Sequence, residues 1–192
     1  MLHFYFFNEV KGELSNGTLT LRALVDLENS NTANVNILTH LKYSRIKSLV
    51  SAGKTFDEAN TQAQKELFAA FGLSKFSNKE VSSFSIIAGT DESAALIAIS
   101  SLLLMERSEA AFTEYLSKLS ADFGKKGCFS QENKKLIETD KEKLAEKLEE
   151  IKENIIAIYH ENQGRYGYRR IHCLLKRENI TISEKIVRRI MK

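Results

Sequence analysis

The sequence predicts a mainly α-helical protein, and three observations support that fold class. After residue 35, apolar residues recur at helical spacing along most of the chain, and helix-capping residues stand where these segments begin. From Ser130 to Asn162 the helical pattern runs without interruption. The clearest strand signal, an Asn-Gly pair, lies within the first 21 residues. We therefore expect a helical N-terminal region with a short β-hairpin, a long linking helix and a compact helical C-terminal module.

Residues 1–34 are the least regular part of the chain, and their main signal is Asn16-Gly17. An Asn-Gly pair favours a two-residue hairpin loop because both residues readily adopt positive φ. The pair lies between Glu13-Leu14 and the alternating segment 18–21. The sequence therefore predicts a hairpin that reverses direction at Asn16-Gly17.

Residues 35–129 are expected to form a helical domain of unknown function. Its first helix covers residues 37–50 and ends at Gly53. Thr55 and Glu58 have the spacing of a capping box, in which each side chain accepts a hydrogen bond from the backbone N–H of the other residue. A second helix should therefore begin at this point.

Glycines and capping residues set the remaining boundaries of this domain. The second helix should stop at Gly72, which can adopt the left-handed conformation that ends many helices. A third, strongly apolar helix is predicted for residues 91–105, and Ser108 should cap a fourth that reaches about residue 123. The two glycines expected to close the fourth helix are Gly124 and Gly127.

The linking helix, residues 130–163, carries one apolar stripe. Its members, spaced seven, four or three residues apart, are Ile137, Leu144, Leu148, Ile151, Ile155 and Ile158. Lys141 occupies one position of the stripe, which weakens the case for a free coiled coil. Packing within the chain and a homodimer through residues 137–158 are the two alternatives, and the pattern favours the first.

Positive charge is concentrated at the C-terminus. Residues 1–130 have 13 basic and 14 acidic side chains, and residues 131–163 have 6 and 9. Residues 164–192, called the basic module below, have 9 basic and 2 acidic side chains, a net charge of +7. A module that neutralises phosphates has this kind of charge, although a solvated charged surface is the alternative.

The basic module has the pattern of a turn followed by two helices. Gly164 and Gly167 should break the linking helix, and a new helix should begin near Tyr168. Asn179 is suited to the left-handed end of that helix, and Ser183 to the N-cap of the last one. On the last helix an apolar stripe lies opposite a cationic ridge that could enter a major groove. The ridge residues are Lys185, Arg188, Arg189 and Lys192.

A known family resembles two segments of this module, residues 164–177 and 185–192. The first segment includes Gly-Arg-Tyr-Gly-Tyr-Arg-Arg and the second includes Val-Arg-Arg-Ile-Met-Lys. They are similar to the helix-turn-helix-like domain that precedes the integrase-type core of bacterial insertion-sequence transposases, over about residues 144–192. The resemblance implies binding to double-stranded DNA, as at insertion-sequence ends. The expected DNA-binding residues are Arg165, Tyr166, Arg169, Arg170, Lys176, Lys185, Arg188, Arg189 and Lys192.

In that family, the following core carries three acidic residues that hold divalent metal for strand transfer. No positions of this chain match them, so we expect no catalytic residue, no metal site and no cofactor. Residues of about 34–125 also resemble, faintly, a helical region of uncharacterised bacterial surface proteins. The sequence thus predicts a DNA-binding transposase fragment, truncated before its catalytic core and fused to an unrelated helical region.

Two other functional classes remain open. The first is a helical protein-interaction or surface-associated domain in which the basic end plays no part, and the second is a metal-dependent nuclease, which we do not expect. The longest apolar run without charges, residues 94–105, is shorter than the roughly 20 residues that span a bilayer. We therefore expect a cytoplasmic protein without membrane contact. The two cysteines, Cys128 and Cys173, lack metal-ligand spacing.

Overall fold

The computed structural model describes residues 2–26 and 32–192, so residues 1 and 27–31 of the predicted N-terminal region lie outside the described part. Four short strands come first: β1 (Leu2–Phe4), β2 (Phe7–Asn8), β3 (Glu13–Leu14) and β4 (Leu19–Leu21). The helices that follow are α1 (Ile37–Ser51), α2 (Phe56–Ala70), α3 (Asp91–Leu104), α4 (Glu109–Lys126), α5 (Gln131–Glu161), α6 (Tyr168–Arg177) and α7 (Glu184–Ile190). Two 3₁₀ turns, Ser74–Phe76 and Val81–Ser83, lie between α2 and α3. The prediction of a mainly α-helical fold is confirmed.

The strands form a hairpin, but its turn is not at Asn16-Gly17. β2 pairs antiparallel with β3, and β1 pairs antiparallel with β4. The chain therefore reverses at residues 9–12, which we call the hairpin turn. The Asn8 side chain accepts hydrogen bonds from two backbone N–H groups of this turn, those of Val10 and Lys11, at 3.0 Å each. Gly12 completes it with a φ of +67°.

The predicted turn at Asn16-Gly17 is thus wrong, and the structure gives a physical reason. Ser15 remains joined to Phe6 across the hairpin, since its backbone N–H donates to the Phe6 carbonyl at 2.8 Å and its hydroxyl accepts from the Phe6 N–H at 3.0 Å. The same hydroxyl donates to the carbonyl of Gly17 at 2.8 Å. The backbone N–H of Asn16 donates to the Glu109 carboxylate at 2.9 Å. Residues 15–17 therefore form an irregular step held against the start of α4.

Helices α1 to α4 surround the largest hydrophobic core among the described residues, which we call the N-terminal core; a small cluster of Ile46, Leu49, Ala59 and Ala63 lies between α1 and α2. Buried side chains from α1, α2, α3 and α4 contribute to it, together with Leu19 and Leu21 of β4. The predicted capping box starts α2, where the Thr55 hydroxyl accepts from the Glu58 N–H and the Glu58 carboxylate accepts from the Thr55 N–H. Gly72, with a φ of +69°, follows the end of α2 as predicted.

Gly124 does not close α4, as the sequence suggested, but lies inside it. A Cβ at this position would come within 2.8 Å of the Ser44 Cβ on α1, so glycine allows the two helices to approach closely. Helix α4 continues to Lys126 and ends at Gly127, which has a φ of +70°. The predicted role of Gly127 is therefore correct.

Helix α5 contributes to the N-terminal core and to a second hydrophobic core. Ile137, near its start, is buried in the N-terminal core. Ile151, Ile155 and Ile158 are buried in the second core, which also contains residues of α6 and α7 and which we call the module core. The apolar stripe of the linking helix therefore packs within the chain, the first of the two alternatives considered for it.

A charged contact ties α5 to the N-terminal helices. The Arg107 guanidinium lies 2.7 Å from the Asp140 carboxylate, and both side chains are largely buried. Arg107 also lies over the ring of Tyr115, 4.0 Å from its centroid. Burial, with a further contribution from the Asp140 charge, raises the pKa of Tyr115 to about 12. The first half of α5 is therefore fixed to α3 and α4.

Candidate nucleic-acid interface

The turn that opens the basic module is held by two residues with positive φ. Gln163 has a φ of +54° and Gly164 a φ of +71°. These left-handed residues end α5 and place Arg165 and Tyr166 in the short connection before α6. Gly167 acts as the N-cap of α6, with an extended φ of −80°. Both glycines thus mark boundaries at the predicted positions.

The second boundary of the module also follows the sequence prediction. Asn179 has a φ of +61° and follows the end of α6. The Ser183 hydroxyl accepts a hydrogen bond from the backbone N–H of Ile186 and so caps α7. Ile182 lies in the connection between these two residues, and its carbonyl oxygen is 3.0 Å from the Nε2 atom of His172 on α6. This contact attaches the connection between the helices to α6.

The predicted apolar faces of α6 and α7 meet in the module core. Ile171 and Leu175 of α6 are fully buried, as is Val187 of α7, while Ile186 is 8% exposed. Ile190 and Met191 are half-buried against the same cluster. A seven-residue helix is too short to be stable alone, so α7 depends on this packing for its position.

The cations of the basic module lie on the other side of these helices. Of the nine residues predicted to bind DNA, two are half-buried, Tyr166 and Arg189, and the other seven are exposed. The exposed ones are Arg165, Arg169, Arg170, Lys176, Lys185, Arg188 and Lys192. Both helices are therefore amphipathic in the predicted sense.

Tyr168 brings cations of α6 and α7 together. The guanidinium groups of Arg169 and Arg188 each lie 5.7 Å from the centroid of its ring, a distance suited to cation–π contact. Arg169 also lies 3.5 Å from the Glu184 carboxylate. Interaction with the Tyr168 side chain, and then with Glu184, raises the pKa of Arg169 above its ordinary value. Tyr168 thus combines a core position with a role in positioning cations.

A second aromatic contact occurs at the opening turn. The Arg170 guanidinium lies 5.4 Å from the centroid of the Tyr166 ring, which itself packs against the module core. Among residues 2–26 and 32–192, no carboxylate forms an ion pair with Arg165, Arg170 or Lys176. These three cations are thus exposed and unpaired within that part of the chain.

Residues 146–192 match the HTH-like domain family. Over 46 residues the chain is 50% identical to a protein of Escherichia coli (strain K12) that is named as the transposase InsK for insertion sequence element IS150. The aligned segment covers 24% of this chain and 16% of that relative. No solved structure matches the chain. The predicted resemblance of the C-terminal segment is confirmed, whereas the resemblance of residues 34–125 stays a prediction.

The cationic ridge of this HTH-like segment faces the N-terminal part of the chain. All four ridge residues line one cleft of about 650 Å³. The opposite wall is formed by residues 86–91 and the first turns of α3. The structure thus groups the ridge residues along one cleft; Lys185, Arg188 and Lys192 remain exposed, but they face the cleft wall across from them. Arg165, Tyr166, Arg170 and Lys176 do not line this cleft.

Sequence reasoning missed Glu9, which contacts the start of the ridge. Its carboxylate Oε1 lies 2.9 Å from the Nζ atom of Lys185, although 176 positions separate the two residues. No local pattern around either residue indicates this ion pair. Arg177, an exposed cation of α6, was also left out of the predicted set, although the charge count includes it.

In residues 2–26 and 32–192, no helix is long and apolar enough to cross a bilayer. In the same ranges, no group of three or more His, Cys, Asp or Glu side chains is arranged to hold a metal ion.

Proposed function

We propose that this chain binds double-stranded DNA through the basic module and performs no DNA strand chemistry with its own residues. One observation carries the proposal: the segment that matches the HTH-like family, residues 146–192, contains the whole basic module, whose net charge is +7. Its apolar side chains are buried in the module core, and most of its cations are exposed. This separation is what a helix-turn-helix needs in order to present one helix to a major groove.

The exposed cations have two kinds of task in this proposal. The first task, binding phosphate oxygens, falls to Arg165, Arg170 and Lys176. Contacts of this kind fix the orientation of the module on the duplex but carry no sequence information. Arg188 and Arg189, on α7, are the candidates for base recognition, since arginine can donate two hydrogen bonds to a guanine edge. The named relative is a transposase, so the proposed target is the end of an insertion sequence. This role places the chain in the cytoplasm, where bacterial DNA lies.

The direct test is DNA binding by the full chain as the salt concentration rises. About six phosphate contacts predict that log K falls against log salt with a slope near −5, since each contact contributes about −0.9. Replacing Arg165, Arg170 and Lys176 together with glutamine, which gives the module variant, should make the slope shallower by about 3. Fluorescence anisotropy of a labelled duplex at several salt concentrations measures both values.

The matched control removes three positive charges from elsewhere in the chain. Lys134, Lys135 and Lys143 are exposed on α5 outside the basic module, and we expect their joint replacement by glutamine to leave the slope unchanged. A slope near zero for the unaltered protein would refute DNA binding. Equal slopes for the module variant and the lysine control would refute the assignment of the interface to the basic module.

A second candidate function, protein binding, rests on exposed apolar side chains of the N-terminal region. Tyr5 and Phe7 of the hairpin are 59% and 47% exposed, and Ile87, before α3, is 82% exposed. Clusters of exposed apolar residues often mark interaction surfaces. In this case the basic module plays no part, so a partner would bind the module variant and the unaltered protein equally well.

A further inference from the structure

We propose that the hairpin turn, residues 9–12, acts as an intramolecular cover on the start of α7 and competes with DNA for it. The inference gives a function to the N-terminal region, and it rests on the DNA binding proposed above. Its basis is the contact between two segments that lie at opposite ends of the chain: the hairpin turn and residues 182–185.

Two polar contacts join these segments. The backbone N–H of Ser183 donates to the carbonyl oxygen of Glu9 at 2.9 Å. The Lys185 ammonium donates to the Glu9 carboxylate at 2.9 Å. The Glu9 side chain is only 10% exposed, whereas that of Lys185 is 44% exposed. One residue of the hairpin turn therefore holds both the N-cap of α7 and the first cation of the ridge.

The hairpin turn also fits the backbone of the basic module closely. A Cβ on Gly12 would lie 2.7 Å from the carbonyl oxygen of Ile182, which is closer than real Cβ contacts come. The same oxygen lies 3.0 Å from Nε2 of His172. Ile182 is itself buried in the module core. The docked arrangement therefore requires glycine at position 12 and cannot shift without disturbing the start of α7.

DNA docking and this contact exclude each other. In helix-turn-helix proteins, residues near the N-terminus of the second helix reach the base edges. Here those residues lie against the hairpin turn, and the Glu9 carboxylate would face the phosphates of an approaching duplex. Lys185 cannot neutralise a phosphate while it is paired with Glu9, because its charge is already compensated. The covered state thus lowers DNA affinity by removing part of the interface.

The ion pair between Glu9 and Lys185 can be exchanged for a contact between Lys185 and a phosphate. The second carboxylate oxygen of Glu9, Oε2, is buried and has no hydrogen-bond partner among the described residues. An unsatisfied buried acceptor costs free energy, which opposes the docked state. Lys185 remains almost half exposed, so a phosphate can replace Glu9 as its partner. DNA therefore shifts a pre-existing balance between docked and undocked forms.

Two variants of the full chain test the cover by different means. Glu9→Gln removes the charge of the ion pair, and Gly12→Ala introduces the steric conflict with Ile182 while keeping every charge. If about nine molecules in ten are docked, each variant should bind a labelled duplex up to about tenfold more tightly, since apparent affinity scales with the competent fraction. Hydrogen exchange at the Ser183 amide should become faster in both, because its acceptor is lost.

Two matched controls come from the same hairpin. Glu13→Gln removes the same charge from an exposed position. Gly17→Ala adds a methyl group where the nearest atom would be the Glu109 Cβ, at an ordinary 3.6 Å. Both controls should bind DNA with the affinity of the unaltered protein and keep the Ser183 exchange rate.

The possible results separate this inference from the proposed function. Tighter DNA binding by Glu9→Gln and Gly12→Ala, with unchanged controls, supports the cover. If the Ser183 amide exchanges faster in both variants but their DNA affinity equals that of the unaltered protein, the cover is refuted and DNA binding stands. If neither the unaltered protein nor any variant binds duplex DNA, the proposed function fails, and the cover fails with it.

Discussion

Replacing Val187 with alanine should destabilise the basic module and leave the N-terminal helices unaffected. The Val187 side chain is fully buried in the module core. Its truncation removes two methyl groups from that core, at about 0.8 kcal/mol each, and leaves a small cavity, for a total of about 2 kcal/mol. Because every 1.4 kcal/mol is a factor of ten, local unfolding of the module should become about 30 times more frequent.

The expected confinement follows from the arrangement of the two cores. In the part of the chain that the structure describes, no buried residue belongs to both the N-terminal core and the module core. Between Ile137 and Ile151 on α5, the apolar stripe offers only the half-buried Leu144 and Leu148. Cooperative unfolding units tend to coincide with such separately packed regions. Native-state hydrogen exchange can therefore detect opening of the module while α1 to α4 remain closed.

Val81 provides a control with the same chemistry in the other core. It is also fully buried, and Val81→Ala removes the same two methyl groups from the N-terminal core. In Val187→Ala, the amides of α6 and α7 should exchange about 30 times faster and those of α1 to α4 at the original rate. Val81→Ala should show the reverse. Equal acceleration in all helices of either variant would refute the separation of the cores.

Two further predictions concern the N-terminal region. Gly127→Ala should cost more in urea denaturation than Gly72→Ala, which should cost about 1 kcal/mol. Both sites have left-handed φ, but only at Gly127 would the new Cβ displace the Glu66 carboxylate, to which Arg45 donates hydrogen bonds at 2.7 and 2.9 Å. Equal losses would contradict this reasoning. Burial, and then the charge of Arg22, lowers the pKa of His40 in the folded protein. As the pH drops below about 6.5, the histidine is therefore protonated in the unfolded chain before it is protonated in the folded one. The free energy of unfolding should fall over this range. Denaturation of His40→Gln at pH 7.5 and 5.5 should show a smaller loss than the unaltered protein, and an identical loss would exclude His40 as the cause.

The helices were predictable because their boundaries carry local signals. Thr55 and Glu58 form a capping box from neighbouring residues, so no distant contact is needed to start α2. Asn179 and Ser183 similarly mark the end of α6 and the start of α7. Apolar spacing then gave the buried faces, including Val187 on the last helix. Signals of this kind survive in the folded state because the tertiary contacts agree with them.

The hairpin shows where local signals mislead. Asn16-Gly17 has a higher turn propensity than residues 9–12, yet the turn forms at the latter. Its formation depends on the Asn8 side chain and on the burial of Leu19 and Leu21 against the N-terminal helices. Strand register follows which face is buried, and that depends on residues far along the chain. A single turn signal could not reveal it.

The candidate interface was predictable in part for the same reason. Charge counting and helical spacing identified the ridge from Lys185 to Lys192, and the structure groups these residues along one cleft. The segments that face the ridge, the hairpin turn and residues 86–91, were not predictable. Each is separated from the ridge by about a hundred residues or more, and neither has a composition that indicates a basic partner.

Access of DNA to the ridge requires movement of irregular backbone only. The two segments that face it are turns and loops: residues 9–12 join two strands, and residues 86–90 precede the N-terminal turn of α3. Within residues 2–26 and 32–192, neither segment contributes a side chain to the N-terminal core, and α5 connects that core to the module core without a break. Val10 of the hairpin turn, however, is only 1% exposed. Because the helices can keep their packing while these segments move, the free energy needed to expose the ridge depends on the Glu9 and Gly12 contacts and on the burial of Val10.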